Sequence, residues 1–175
     1  MTSARQALKN HLIPLTSLSG RAADIAREDE QGERTIRKQI VKTTIRYLDT
    51  DTLLCWVPER NAYAGEEPEA DGKKTKSLRE TQMSVAKDIV SFLSAKVWPG
   101  IEIRPLDTDT IIPTPQPEAT RDIIRAWIAD LPPHDLAAFE RAVLAAKSLL
   151  VAVRLVVEWS EHFRHLQRPG QKKFG

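Results

Sequence analysis

Apolar residues recur at helical spacing in several long stretches of the chain, and proline or glycine marks most of the breaks between them. From Arg34, the positions Ile36, Ile40, Ile45 and Leu48 predict a helix running towards Asp49. Met83, Ala86, Ile89, Val90, Leu93 and Val97 form one face of a second helix over Leu78 to Trp98. Ser77 and Glu80 have the spacing of a capping box at its start, and Pro99-Gly100 ends it. Pro117-Glu118 opens a third helix that carries Ile123, Ile124, Trp127 and Ile128 and stops at Pro132-Pro133. A last, long helix is predicted from about Asp135 towards His165, with Leu136, Phe139, Val143, Leu150, Val153 and Val157 on one side. Its middle is apolar nearly all round, which marks it as the central, most buried helix.

Shorter elements fill the remainder. Arg5 to Leu12 reads as a short helix stopped before Pro14, and Leu15 to Ile25 as another turn or two. The charged stretch Asp24 to Glu33, with Gly32, reads as a linker or helix end. Residues 52–58 switch to an extended run, and Ile101 and Ile103 alternate with Glu102 and Arg104, so one short β pair is expected near 52–57 and 101–104. Residues 60–77 read as a charged, mobile loop, 108–117 as an ordered crossing loop, and 167–175 as a disordered tail. The fold class that follows is mainly α, a single helical domain over 1–175.

Composition narrows the function classes. Charged residues make up 29% and hydrophobic ones 41%, in the range of a globular protein. A formal net charge of +2 gives no overall field towards nucleic acid or an anionic membrane. The one cysteine, Cys55, excludes an internal disulfide framework and is expected in a core. The most apolar run, Ala142 to Trp159, is interrupted by Lys147 and Arg154, so no membrane span is expected. The first 23 residues lack acids and contain Arg5, Lys9 and Arg21, which suits either a transit peptide or an ordinary amphipathic helix.

Two clusters invite a chemical reading. Glu158, His162 and His165 lie near one helix side if the last helix is continuous, as a metal-dependent enzyme would need, although a polar helix end is the simpler account. In YLDTDTLLCWVP (47–58), Asp49 and Asp51 interrupt an apolar run, and each is followed by Thr. Short acids in such a place cap and turn the backbone rather than catalyse. Lys147 and Arg154, seven apart, would project from nearly the same side of one helix, and an acid such as Asp49 or Asp51 is their natural partner if they are buried. No glycine-rich dinucleotide or phosphate fingerprint is present. No cofactor is expected.

Four segments together carry a resemblance: QALKNHLIPLTSLSGRAADI at 6–25, TTIRYLDTDTLLCW at 43–56, VWPGIEI at 97–103 and LAAKSLLVAVRLVVEW at 144–159. They resemble the C-terminal helical domain of the ATP synthase F(1) complex assembly factor 2 family, in a fungal-type version. The most specific piece is the Tyr-x-x-Thr-Asp-x-Leu pattern of Tyr47, Thr50, Asp51 and Leu53. The resemblance implies a non-enzymatic chaperone of the mitochondrial matrix that binds the free alpha subunit and shields its apolar interface. Within that resemblance Tyr47, Asp51 and Trp98 are expected to hold the family site together; the spacing of Lys147 and Arg154 separately makes Arg154 an expected partner of Asp51. The family's β-rich N-terminal domain and its acidic C-terminal segment have no counterpart in this sequence, so a truncated form is the expectation. A generic helical adaptor is the competing class.

Overall fold

The computed structural model describes residues 14–58, 77–106 and 114–167. The helix expected at 5–12, most of the 60–77 loop, the crossing loop before residue 114 and the tail beyond Gln167 lie outside them. Helices α1 (Pro14–Gln31), α2 (Thr35–Thr44), α3 (Leu78–Phe92), α4 (Glu118–Asp130), α5 (Pro133–Ala146) and α6 (Leu149–Trp159) surround one hydrophobic cluster. A 3-10 turn, Ile45–Thr50, continues α2, and another, Glu161–Leu166, follows α6. The mainly helical class stands.

Helix α6 is the centre, with Leu149, Leu150, Ala152, Val153, Val156, Val157 and Glu158 all buried. A helix apolar on most sides has to be wrapped, and α5, α3 and both 3-10 turns lie against it. Helix α1 buries only Ala22 and Ile25. Charged contacts supplement this small apolar face. Arg21 donates two parallel hydrogen bonds of 2.9 Å to the Glu140 carboxylate on α5, a geometry that Lys does not reproduce.

Of the two readings of Asp24 to Glu33, linker or helix end, the structure has the helix end: α1 runs through most of the stretch and stops at Gly32. There φ is +77°, and the Gly32 and Glu33 amides donate back to the carbonyls of Asp29 and Glu28. That is the glycine-terminated helix end of a Schellman motif. The capping box of α3 is present as expected. The Glu80 amide donates to the Ser77 hydroxyl, and the Ser77 amide to the Glu80 carboxylate.

Three expectations are corrected. The last helix is two helices, broken at Lys147-Ser148, where Lys147 takes a left-handed conformation (φ +55°) and Ser148 caps α6 by accepting from Val151 N. Lys147 and Arg154 therefore do not share a helix face. The β pair is a single parallel bridge between Cys55 and Leu106, with the Leu106 amide donating to the Leu54 carbonyl. Pro58 and Pro105 flank it and have no N–H to extend a ladder. The buried Gln116 side chain instead satisfies both backbone groups of Arg104. Cys55, finally, is exposed, because Leu54 takes the inward place in that extended run.

Trp98 follows a π-helical turn (Leu93–Val97) at the end of α3 and enters an aromatic cluster. Its ring meets Trp127 edge-on at 5.5 Å, and Trp127 in turn stacks on Phe163 at 5.6 Å. The buried Trp98 indole N–H has no hydrogen-bond partner among the described residues. Its contribution is therefore shape and ring contact, with no hydrogen bond to lose. Trp98→Phe is expected to cost less than about 1.5 kcal/mol, and Trp98→Ala about 3–5 kcal/mol, measured by urea unfolding. Equal losses in the two variants would refute this reading of the ring.

Candidate functional site

The segment 47–57 performs two tasks: its first half locks the α5–α6 corner, and its second half forms one wall of an apolar groove. The lock centres on Asp51, whose side chain is fully buried. One carboxylate oxygen accepts from the Leu53 amide at 3.0 Å, and the other accepts from the Leu150 amide, also at 3.0 Å. Ser148 lies close enough to the same carboxylate to favour its ionised form. Leu150 lies in the first turn of α6, where backbone N–H groups have no partner within the helix. Asp51 thus caps a helix almost a hundred residues away in sequence, with its negative end against the positive helix terminus.

Neighbours of Asp51 secure the same corner. The Thr52 amide donates to the Lys147 carbonyl, and its hydroxyl donates to the Ala146 carbonyl at 3.1 Å. Lys147 places its ammonium 5.8 Å from the centre of the Tyr47 ring. These contacts offset the cost of a left-handed lysine, which the chain would otherwise avoid. Asp49 accepts from Arg121 of α4 at 2.7 Å, tying the 3-10 turn to another helix.

The four residues singled out in the sequence have separate surroundings. Tyr47 and Asp51 are at the α5–α6 corner. Trp98 lies in the aromatic cluster. Arg154 does not pair with Asp51: its guanidinium bonds Glu158 one turn along α6 and lies 4.1 Å over the Phe92 ring. That pairing is dictated by the helix, since i, i+4 side chains are adjacent while Asp51 sits at the helix's other end. The metal arrangement of Glu158, His162 and His165 also dissolves. Helix α6 ends at Ser160, whose backbone is extended (ψ 138°), so Glu158 and His162 do not continue one helix side. Among the described residues no three His, Cys, Asp or Glu side chains are grouped as a metal site.

Arg37 is the residue that the sequence pattern did not single out. Its guanidinium is buried, pairs with Asp29, and donates to the carbonyls of Ala129 and Leu131 at 3.0 and 2.7 Å. It closes the C-terminal end of α4 as Asp51 closes the N-terminal end of α6, each charge meeting the favourable pole. Arg37 stands three residues before Ile40 and seven before Thr44, both buried, so its place on the inward stripe was the available signal.

Beyond Trp56 the segment is fastened to α3. The Val57 amide donates to the Gln82 side chain, Arg79 donates to the Val57 carbonyl, and the Arg79 guanidinium lies 5.9 Å from the Trp56 ring centre. Between them opens a groove of about 520 Å³ walled by Leu54, Trp56, Met83, Val90, Ile103 and Pro105. The α3 face expected to be core is thus only half covered: Ala86 is buried, but Met83 is 41% exposed.

Burial pushes the Asp51 carboxyl above the usual carboxylate range, outweighing the hydrogen bonds from Ser148, Leu150 and Leu53 that favour its ionised form. The folded chain therefore holds this proton more tightly than the unfolded chain, and the Asp51 contribution grows as pH falls through that window. Asp29 runs the other way: the bond from Arg37 holds its carboxyl low, and its contribution fades as pH falls. Asp51→Ala leaves two backbone donors unpaired and is expected to cost about 2–4 kcal/mol. Asp51→Asn keeps one acceptor and should cost less. The stability difference between wild type and Asp51→Asn should widen as urea titrations move from pH 7 towards pH 4. A difference that narrows over that range contradicts the assignment.

Comparison with known proteins places this geometry. A family model described as ATP12 chaperone protein matches residues 2–94, a range that contains α1, α2, the whole 47–57 segment and the wall of the groove on α3. The chain is 33% identical over 156 residues to Protein atp12, mitochondrial, of Schizosaccharomyces pombe, covering 89% of this chain and 46% of that protein. It is 29% identical over 160 residues to Protein ATP12, mitochondrial, of Saccharomyces cerevisiae, covering 85% of this chain and 47% of that protein. The chain spans about half the length of the curated relatives it matches. No solved structure matches it. On the family match and the fungal relatives together, the chain belongs to the ATP12 chaperone protein family.

Proposed function

We propose that this chain is a chaperone for assembly of the ATP synthase catalytic head, binding the free alpha subunit and shielding its apolar interface until assembly. Membership of the ATP12 chaperone family carries the proposal. The apolar groove beside the family-matched segment supplies a physical means. An unassembled subunit of an obligate complex exposes apolar area, and a groove walled by Leu54, Trp56, Met83 and Val90 offers it cover. Met83 suits the task, since an unbranched thioether adapts to irregular surfaces. In this reading the described residues act as one helical unit, and Tyr47, Asp51, Trp98 and Arg154 are positioning residues. Asp51 and Trp98 are buried, so they act by fixing the elements that carry the groove.

The work asked of the chain is binding and release, with no bond made or broken. The mitochondrial names of both relatives support the same compartment for this chain, with the matrix as the place where the alpha subunit is met. No helix among the described residues is long and apolar enough to cross a membrane.

The test is capture of purified alpha subunit diluted from denaturant, followed by light scattering and by co-elution with the chain. Wild-type chain should suppress scattering. Met83→Glu, which sets a carboxylate in the apolar groove, should weaken capture by about tenfold or more without lowering the unfolding temperature. Scattering that is identical with and without the chain contradicts the chaperone reading. Undiminished capture by Met83→Glu contradicts the groove.

A further inference from the structure

A second cleft, remote in character from the apolar groove, lies between α2 and α4. Its volume is about 490 Å³, its floor is Val41, Ile45 and Ala129, and its rim carries Arg34, Lys38, Lys42 and Arg125. No acid lines it. From Arg34 to Leu48 the chain holds Arg34, Arg37, Lys38, Lys42 and Arg46 without one Asp or Glu. In a chain of net charge +2 this is a local concentration of positive charge.

Not all of that charge is available. Arg37 is committed to Asp29 and two carbonyls, Arg125 pairs with Asp122, and Arg34 approaches Asp29 at 3.9 Å. Lys38 and Lys42 make no ion pair with any described residue and are exposed. An ordinary solvated face would account for two exposed lysines, but not for the apolar floor that they border.

We propose that this cleft docks an acidic amphipathic helix of a partner protein. Lys38 and Lys42 are one turn apart, about 6 Å along the axis, so carboxylates one turn apart on a helix lying alongside α2 would meet both. Apolar side chains on the same face of that helix would enter over Val41, Ile45 and Ala129. Nucleic acid fits less well, because the cleft presents no aromatic ring on which a base could stack. Opposite charge at an exposed rim chiefly speeds encounter and selects the partner, so the interaction should weaken as salt rises. This cleft shares no lining residue with the apolar groove.

Fluorescence anisotropy on the full chain tests it, with a labelled helical peptide carrying Leu at i, i+4 and i+7, two Glu one turn apart beside that stripe and Ala and Gln elsewhere. Binding should saturate, should fall about tenfold or more in the Lys38→Glu/Lys42→Glu double variant, and should be unaffected by Met83→Glu. The unfolding temperature of the double variant should match wild type, since both lysines are exposed. A peptide with the same leucines but Lys in place of Glu should not bind. Absence of saturable binding, unchanged affinity in the double variant, equal binding of the basic peptide, or tighter binding of an oligouridylate would each overturn the proposal.

Discussion

A buried carboxylate held against the start of a helix is the constraint on which this structure depends. Asp51 spans its own turn and the first turn of α6, and its two oxygens use backbone donors that water would otherwise have to serve. Burying a charge is unfavourable unless it is paired or well hydrogen-bonded. Here the partners are the fixed N–H groups of Leu53 and Leu150, so the interaction is directional and demands one register. Helix α6 is buried along most of its length, and the cap sets where it begins. Once it begins at Leu149, the corner before it, the packing of α5 and the wall at Leu54 and Trp56 follow.

Arg37 supplies the complementary constraint. It stands where a core residue would stand on α2 and carries its charge to the carbonyl end of α4. Two helix ends buried inside a small domain would leave donors and acceptors unsatisfied, and two long-range side chains of opposite sign satisfy them. The apolar core provides most of the driving force, whereas these polar contacts decide which helix ends meet which turns. The groove on α3 is one consequence. With the Trp56–Val57 stretch tied to Gln82 and Arg79, the α3 face stays half open instead of collapsing onto the core.

Much of this was legible in the sequence where the physics is local. The capping box at Ser77, the stop at Pro132-Pro133 and the turn-forming character of Asp51 follow from short-range bonding rules, whereas Asp49 spends its carboxylate on distant Arg121. The break at Lys147 was not legible. Ala145-Ala146-Lys147-Ser148-Leu149 has no proline or glycine, and the apolar spacing continues across it. Ser148 was the one local cue to a new helix start, and its force comes from Asp51, far away in the chain. The length of α1 is hard to read for a related reason: its acidic second half suits a linker as well as a helix end until Arg37 on α2 reaches Asp29 and Glu28 accepts from the Ile36 amide. The pairing of Arg154 with Asp51 requires one continuous helix through Lys147; with the helix broken there, Glu158 is the acid within reach. The exposure of Cys55 is not readable from its residue type, because hydrophobicity alone does not say which face of a short extended run points inward.

Native-state hydrogen exchange at the Leu150 amide tests the central claim most directly. If Asp51 closes the start of α6, this amide is protected nearly as strongly as the core of α6. In Asp51→Ala it should exchange by local opening while Val153 and Val157 remain protected. A Leu150 amide that exchanges quickly in the wild type, as a fraying helix end does, would contradict the account.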